Sequence, residues 1–531
     1  MQNIRPTDEQ HAMIESFVRG ESFIGEAVAG SGKSSTIRMM VEAAQDKKIL
    51  CLAFNADIVS ASKKRAPANV DWKTIHGLAY QNTPGDLKER LVENTLQIWM
   101  AYENYIAGNE ELRSRIDRIG KVRRELYKEK TEFYDRDRER RKSINILRNT
   151  IVRYEQSEDQ DFNETHFPEL TKHQLMFKAM QSGLDKKIVI EGIIAPIVEV
   201  AATLWKESIR TESVLPITHN TYLKLFGLMP GALGYDAIIV DEAQDVMPIA
   251  RRIIDANVST QKVWIGDGNQ QIYGWNGARN IMRSLAGLKR MTLSQSFRYG
   301  PALAEYANKI LAVKKRMDIG AFVQEIRGTP EIETKVHTKE RREIPDVVIA
   351  RTNAGVLEAA IELIEAGRKV HVVGGIGPFK THLLEAYKLK TAGKVDGGGT
   401  FASYGSWRDL VEFSKSIDGR QFGTTVRLVE KYQNAVPELV AAIEQYVGRK
   451  GSRNVVTVTT GHKAKGLEWQ NVRIHEDVMP FVTETGGMTI YAEEEANLMY
   501  VMATRARQEA DIHHLHNALK TTWDLVKKNE K

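Results

Sequence analysis

The stretch AVAGSGKSS, Ala27 to Ser35, constrains this chain more than any other. It follows the apolar ESFIGE and precedes TIRMMVEAA, whose apolar residues recur at helical spacing, so it occupies a strand-to-helix turn. Gly30, Gly32, Lys33 and Ser34 match the end of a P-loop, with Ala29, Ser31 and Ser35 completing the turn and Ala27 in place of the first glycine. In such a turn backbone N–H groups surround a phosphate, the lysine reaches its terminal oxygens and the hydroxyl binds a divalent cation. A short glycine-rich motif also recurs by chance, so the rest of the chain has to supply its context.

That context is α/β. Short apolar runs recur as KKILCLAF (47–54), YDAIIVDEA (235–243), KVWIGD (262–267), DVVIART (346–352), KVHVVGG (369–375) and NVVTVTT (454–460). Continuous rather than alternating runs, with helical stretches between them, predict parallel strands covered on both faces. With 531 residues the chain exceeds the roughly 250–300 at which one core stops growing, and two such sheets fit the spacing.

Two segments of another kind interrupt them. From Arg113 to Lys142 thirteen Lys and Arg face seven Asp and Glu, and no Gly or Pro occurs between Gly120 and Pro168. Ile116, Ile119, Val122 and Leu126 mark one helix face, and most of the remaining surface reads as a solvated helical arm, with nucleic acid or protein contact as a secondary role. Between Phe379 and Gly451 lies GKVDGGGTF, a flexible connection, followed by VPELVAAIEQYV with Pro437 near a helix start.

The formal charge of +6 permits a polyanionic partner without demanding one. The single cysteine, Cys51, allows no intramolecular disulfide or multi-cysteine metal site and reads as a buried strand residue. With no apolar leader and no run of about 18 apolar residues, a soluble cytoplasmic protein without a membrane is expected.

AIIVDEAQD places Asp241 and Glu242 at the carboxyl end of a strand, where ligands bind in open α/β sheets. Behind a P-loop, Asp241 with Ser34 would hold Mg²⁺ and Glu242 would orient or deprotonate the attacking water in phosphoryl transfer. Arg298 in LSQSFRYG and Arg505 in MYVMATRAR lie beyond the first set of strands and can stabilise charge on a γ-phosphate when two domains close.

These motifs occur in order with Gln10 in PTDEQ, LAFN (52–55), TIHGLAY (74–80), THNTYLKLFGL (218–228), GDGNQQIYGW (266–275), TTGHKAKGLEW (459–469) and EEEANLMYVMATRA (493–506). The set resembles superfamily 1 helicases of the UvrD/Rep/PcrA type over nearly the whole chain, and looks most like the F-box DNA helicase branch. An F-box is not among the motifs, so no ubiquitin-ligase role is expected.

The resemblance implies two RecA-like motor domains with parallel sheets, each carrying a mainly helical accessory insertion. The divisions expected are 1–85 and 205–290 for the first motor, 86–204 for its insertion, 291–378 and 452–531 for the second motor, and 379–451 for a reduced second insertion. By the same likeness Gln10 reads adenine, Phe297 packs near the base, Gln270 senses the γ-phosphate and Glu468 approaches the ribose of ATP. Phe54, Asn55, His76, Tyr273, Trp275 and His462 match positions lining single-stranded DNA, and Asn276 stands where an Arg is common. Large aromatics in a glycine-containing loop then acquire a purpose, because stacking tolerates any base.

The function expected is an ATP-dependent, Mg²⁺-requiring helicase or translocase on single-stranded DNA and single-strand/duplex junctions, moving 3′ to 5′, with replication, repair or recombination proteins as partners. Nucleoid association in a bacterial or phage-infected cell fits that task. Two other classes stay open. A P-loop kinase needs an acceptor site and no aromatic DNA path, and an ATP-gated DNA-binding or recombinase-clearing factor would bind without sustained turnover. The short tail after Arg505 suggests no fused nuclease, and its HHLH (513–516) reads as a strand or surface histidine cluster.

Overall fold

The computed structural model describes residues 5–53, 55–93, 95–127, 136–274, 277, 280–317, 322–341, 343–395, 400–401, 404, 406–414, 422–448, 452, 454–485 and 488–529. Phe54, Trp275 and Asn276 lie outside them, as does part of the glycine-rich GKVDGGGTF.

The continuous apolar runs form strands buried on both faces, as side chains that cannot face water require. The first sheet comprises β1 (Phe23–Ala27), β2 (Ile49–Ala53), β3 (Val70–Thr74), β4 (Ala237–Val240), β5 (Gln261–Gly266) and β6 (Lys289–Leu293), in the order β3-β2-β4-β5-β1-β6. Every neighbouring pair is parallel. The second comprises β7 (Lys335–His337), β8 (Val347–Ala350), β9 (Lys369–Val372), β10 (Val455–Thr460), β11 (Trp469–Ile474) and β12 (Ala506–Asp511), in the order β9-β10-β8-β11-β12-β7, again all parallel.

A helical cluster interrupts each sheet. Between β3 and β4 the helices Thr95–Gly108, Glu110–Tyr127, Arg136–Gln156, Glu169–Gln181 and Ala195–Ser208 share one core, including Ile106, Ile116, Leu147, Leu175 and Leu204. Between β9 and β10 a smaller core gathers helices Gly377–Ala392, Trp407–Ser414, Gly423–Tyr432 and Val436–Tyr446 around Leu389, Phe401 and Val429.

Two expectations need correction. The basic stretch is not a free arm: Leu112, Ile116, Ile119 and Leu126 are buried, and Arg140 pairs with Asp117 at 3.0 Å across two helices packed side by side. Its apolar face found a core because several helices fold back on it, while Arg113, Arg118 and Lys121 are exposed, as expected for its remaining surface. The expected absence of a run of about 18 apolar residues stands, since Glu191 and Glu199 interrupt the helical stretch Lys186–Ser208, yet an 18-residue window there reaches a mean hydropathy of 1.9. Ile193, Ile194, Ile197 and Leu204 bury it in the first cluster's core, which explains its composition. HHLH opens the helix His513–Asn529 rather than a strand, with Asn517 Nδ2 at 3.1 Å from His513 Nε2.

Candidate active site

Successive strands of the first sheet deliver one motif each from their carboxyl ends, the edge at which ligands bind in open α/β sheets. The glycine loop follows β1, Asn55 lies two residues beyond β2, His76 two beyond β3, Asp241 directly beyond β4 and Asp267 directly beyond β5. The segment Gln295–Arg298 follows β6.

The loop from β1 to the helix Lys33–Ala43 turns through Gly30 and Gly32, both at φ +78°, a conformation that costs a residue with a Cβ. A Cβ on Gly30 would stand 2.6 Å from Ser296 Oγ and 2.7 Å from Arg298 Cβ, and Phe297 N donates to Gly30 O at 2.8 Å. A Cβ on Gly32 would stand 3.3 Å from Gln10 Nε2 and 3.5 Å from the Phe297 ring. Gln10 and Phe297 therefore flank the same end of the loop. Gln10 is buried, with Oε1 accepting from Thr7 N at 3.0 Å and Nε2 donating to Thr36 Oγ1 at 3.0 Å. Phe297 is 42% exposed, an open ring face beside bare backbone. Ser31 Oγ is buried with no hydrogen-bond partner among the described residues, whereas Ser34 is exposed and Ser35 half-buried.

Lys33 Nζ pairs with Glu242 Oε1 at 2.8 Å. Glu242 sits at φ +54°, a strained backbone for a residue with a side chain, and its N–H donates to Asp241 Oδ1 at 2.9 Å. Burial, then the adjacent Glu242 charge, pushes Asp241 up to about 6. Burial would raise Glu242 too, but Lys33 and Lys465 outweigh it and hold that carboxyl at about 2. Burial likewise works to lower Lys33, and Glu242 and Asp241 reverse it. Gln244 ties this centre to β5: its Nε2 donates to Glu242 Oε2 at 2.6 Å and its Oε1 accepts from Asp267 N at 3.0 Å. Gly266 is needed for that approach, since a Cβ there would meet Gln244 Oε1 at 2.2 Å.

Side chains from the second sheet reach into the same place. Arg505 follows the helix Glu493–Ala503 and is 1% exposed. Its guanidinium donates to Val501 O (2.8 Å), Thr504 Oγ1 (3.0 Å), Leu467 O (3.4 Å) and, at the limit of a hydrogen bond, Gln270 Oε1 (3.5 Å), every one a neutral atom. Burial, with Arg298 nearby, pushes it down to about 9, so it is still cationic at neutral pH. Gln270 Nε2 donates to Asp267 Oδ2 at 2.7 Å. Tyr500 accepts from the loop's Ala29 N at 3.1 Å and donates to Asp267 Oδ2 at 3.1 Å. Lys465 pairs with Asp245, donates to Gln270 O at 2.8 Å and lies 5.1 Å from the Tyr273 ring centre. Arg298 donates to Glu468 Oε2 at 2.6 Å and to Thr504 O at 3.0 Å, while Arg507 pairs with the other Glu468 oxygen at 3.5 Å. Both oxygens of Glu468 are therefore engaged by arginines.

Tyr273 and His462 come together from the two sheets: Tyr273 Oη donates to His462 O at 3.2 Å and the rings stand 6.4 Å apart. Burial lowers the pKa of His462 and of His76. Asn55 caps the helix Ala56–Lys63, accepting from Ile58 N at 2.9 Å, and His76 Nε2 lies 3.4 Å from Asn220 Oδ1. A cavity of about 140 Å³ runs from His76 to Asp241, Glu242 and Asp245.

Residues 7–285 match the UvrD/REP helicase N-terminal domain. The chain belongs to the UvrD/REP helicase family. Residues 408–513 of this UvrD/REP family member match the UvrD-like helicase C-terminal domain. It is 27% identical to F-box DNA helicase 1 of Gallus gallus over 96% of this chain and 49% of that protein. It is 25% identical to F-box DNA helicase protein 1 of Schizosaccharomyces pombe over 94% of this chain and 56% of that protein. ATP-dependent DNA helicase UvrD2 of Mycobacterium tuberculosis is 23% identical over 51% of this chain and 46% of that protein. The chain spans about half the length of these curated relatives.

Sequence reasoning about this UvrD/REP chain passed over Gln244, Lys465 and Tyr500. All three lie inside quoted motifs, DEAQD, HKAKGLEW and MYVMATRA, which was the available signal. Lys465 and Tyr500 bond to distant segments, and Gln244 joins its own motif's Glu242 to Asp267 beyond the next strand, pairings that no local pattern names.

Proposed function

We propose that this UvrD/REP family member is an ATP-driven motor on single-stranded DNA that moves 3′ to 5′ and couples hydrolysis to duplex opening or protein displacement. The observation that carries the reading is Arg505, a buried guanidinium whose hydrogen bonds all end on neutral atoms beside Gln270. Asp267 acts on it without an ion pair among the described residues, and a buried charge without a hydrogen-bonded counter-ion is costly, so the pocket suits an anion that arrives. A nucleotide phosphate in the glycine loop supplies that anion.

Lys33 exchanges Glu242 for a phosphate oxygen, and Glu242, still held by Gln244, turns its released oxygen to a water. Arg298 and Arg505 stabilise charge growing on the transferred group, which links turnover to the approach of the two sheets. The donor set of Ser34 and Asp241 suits Mg²⁺, which when bound supplies charge neutralisation of the phosphates. Phe297 offers its open face to the base beside Gln10. Gln270 and Tyr273 share one loop, and Lys465 touches both. A change at the phosphate end therefore reaches a DNA-stacking ring within a few residues.

Strand displacement on partial duplexes with either a 3′ or a 5′ single-stranded tail tests activity and direction together. Displacement only from 3′-tailed substrates is expected, and preference for a 5′ tail overturns the direction. A P-loop kinase would hydrolyse ATP with no stimulation by single-stranded DNA.

A further inference from the structure

The backbone at the proposed γ-phosphate sensor is held at two consecutive carbonyls from the second sheet's side. Lys465 donates to Gln270 O and Asn497 Nδ2 to Gln271 O, each at 2.8 Å. Asn497 is 1% exposed on the helix Glu493–Ala503, and its amide is oriented by Lys314, whose ammonium donates to Asn497 Oδ1 at 2.7 Å. Lys314, on the helix Pro301–Met317, is itself 1% exposed. Burial pushes its pKa below the ordinary value, and Glu493, 3.0 Å away, is the charge that most opposes that loss. The same carboxylate faces the first sheet's side: Arg283 Nη2 donates to Glu493 Oε1 at 2.5 Å and Nη1 to Oε2 at 3.3 Å. Arg283 lies on the helix Ile281–Ser284, which Arg290 ties to β1 by donating to Met282 O and to Glu26 Oε1, both at 2.5 Å.

None of Arg283, Lys314, Glu493 and Asn497 has a part in the chemistry proposed above. Together they run from the strand that leads into the glycine loop to the loop that carries Gln270, and they cross between the two sheets at one carboxylate. A two-bond arginine–carboxylate pair fixes orientation as well as distance, and a buried lysine needs its counter-ion to stay charged. We propose that Glu493 is a positioning residue for nucleotide turnover, which clamps Arg283 across the two sheets and, through Lys314 and Asn497, sets the backbone that carries Gln270. This rests on the ATP-motor reading above: with the clamp open, phosphate still binds the glycine loop, but Gln270 is not held for the transferred group.

The test separates binding from turnover in the full chain. Arg283→Ala removes the cross-sheet pair and leaves Lys314 its carboxylate; because the two side chains are 32% and 30% exposed, melting temperature should barely move. At saturating single-stranded DNA, kcat should fall about 10- to 100-fold, the scale of a misplacement of roughly 1 Å, while ATP affinity by equilibrium titration stays parental. Arg283→Lys should recover part of the rate. Glu493→Gln should lose at least as much as Arg283→Ala, and combining the two should cost no further rate, since both remove one interaction. If Glu493→Gln does not fold, the two Arg283 variants still decide. Parental kcat in Arg283→Ala, or a loss of rate matched by falls in ATP affinity and melting temperature, overturns the clamp and leaves the motor reading standing. A parent whose ATP turnover is not stimulated by single-stranded DNA overturns both.

Discussion

The ion pair between Lys33 and Glu242 has a consequence with a definite sign. The lysine proposed to reach a phosphate is held at 2.8 Å by the carboxylate proposed to reach a water. At that distance two unit charges attract by roughly 6 kcal/mol at an effective dielectric of about 20, an upper bound before competing hydration is counted. Glu242→Gln keeps the shape and the hydrogen bond from Gln244 but removes the charge. Charge-assisted hydrogen bonds are roughly twice as strong as neutral ones, so Lys33 should be released at a saving of about 1–2 kcal/mol. ATP should then bind about 5- to 30-fold more tightly than to the parent, while DNA-stimulated hydrolysis is lost with the water-orienting group. Titration with a fluorescent ATP analogue, beside steady-state turnover at saturating DNA, reads both quantities on one preparation. Unchanged or weaker binding in a folded variant would refute the ion pair as a brake on nucleotide entry. Parental turnover would refute the role given to Glu242.

Other perturbations probe the rest of the site. Arg298→Ala and Arg505→Ala should still bind ATP yet lose about 10³- to 10⁵-fold in turnover, as arginines acting on transition-state charge do; equal single-turnover rates in variant and parent would remove that role. Tyr500→Phe deletes the hydroxyl between Ala29 N and Asp267 and should cost roughly 1–3 kcal/mol of stability by leaving buried polar atoms unpaired. Coincident urea unfolding curves would show that the bridge does not matter. Glu155 is buried against Thr221 and Thr218, and burial pushes it up to about 7. Because the folded state then holds the proton more tightly than the unfolded one, its contribution is present below about pH 4.5 and lost as pH rises toward 7. Glu155→Gln should reduce that decline in melting temperature, leaving the parts due to Glu26, which burial also raises to about 7, and to Asp241 and Asp245, which burial raises to about 6. A variant with the parental pH slope would exclude Glu155 as its source.

Local pattern carried the parts of the fold that one segment decides alone. Continuous β-branched runs became interior strands because only a sheet covered on both faces buries them. AVAGSGKSS became a strand-to-helix turn because Gly30 and Gly32 adopt positive φ without strain. The carboxyl-end position of Asp241 followed from the four apolar residues before it. The last two strands of the second sheet were illegible by the same logic: β12, paired on both sides, reads ARQEAD and the edge strand β7 only KVH, too polar or too short to demand burial, and they are strands because their neighbours supply hydrogen bonds. The basic stretch from Arg113 displayed an apolar face, but the helices that cover it come from elsewhere in the chain.

What the tertiary structure alone decided is which groups meet. Tyr500 and Ala29 are 471 positions apart, Lys465 and Asp245 are 220 apart, and Arg505 and Gln270 are 235 apart. Motif order named candidates on both sheets, but not that Glu242 holds Lys33, that Glu468 is shared by two arginines, or that buried Arg505 has only neutral hydrogen-bond partners among the described residues. Secondary structure is written in the period of neighbouring side chains, whereas a contact between two sheets depends on how their surfaces pack, and that geometry has no imprint in the spacing of either segment.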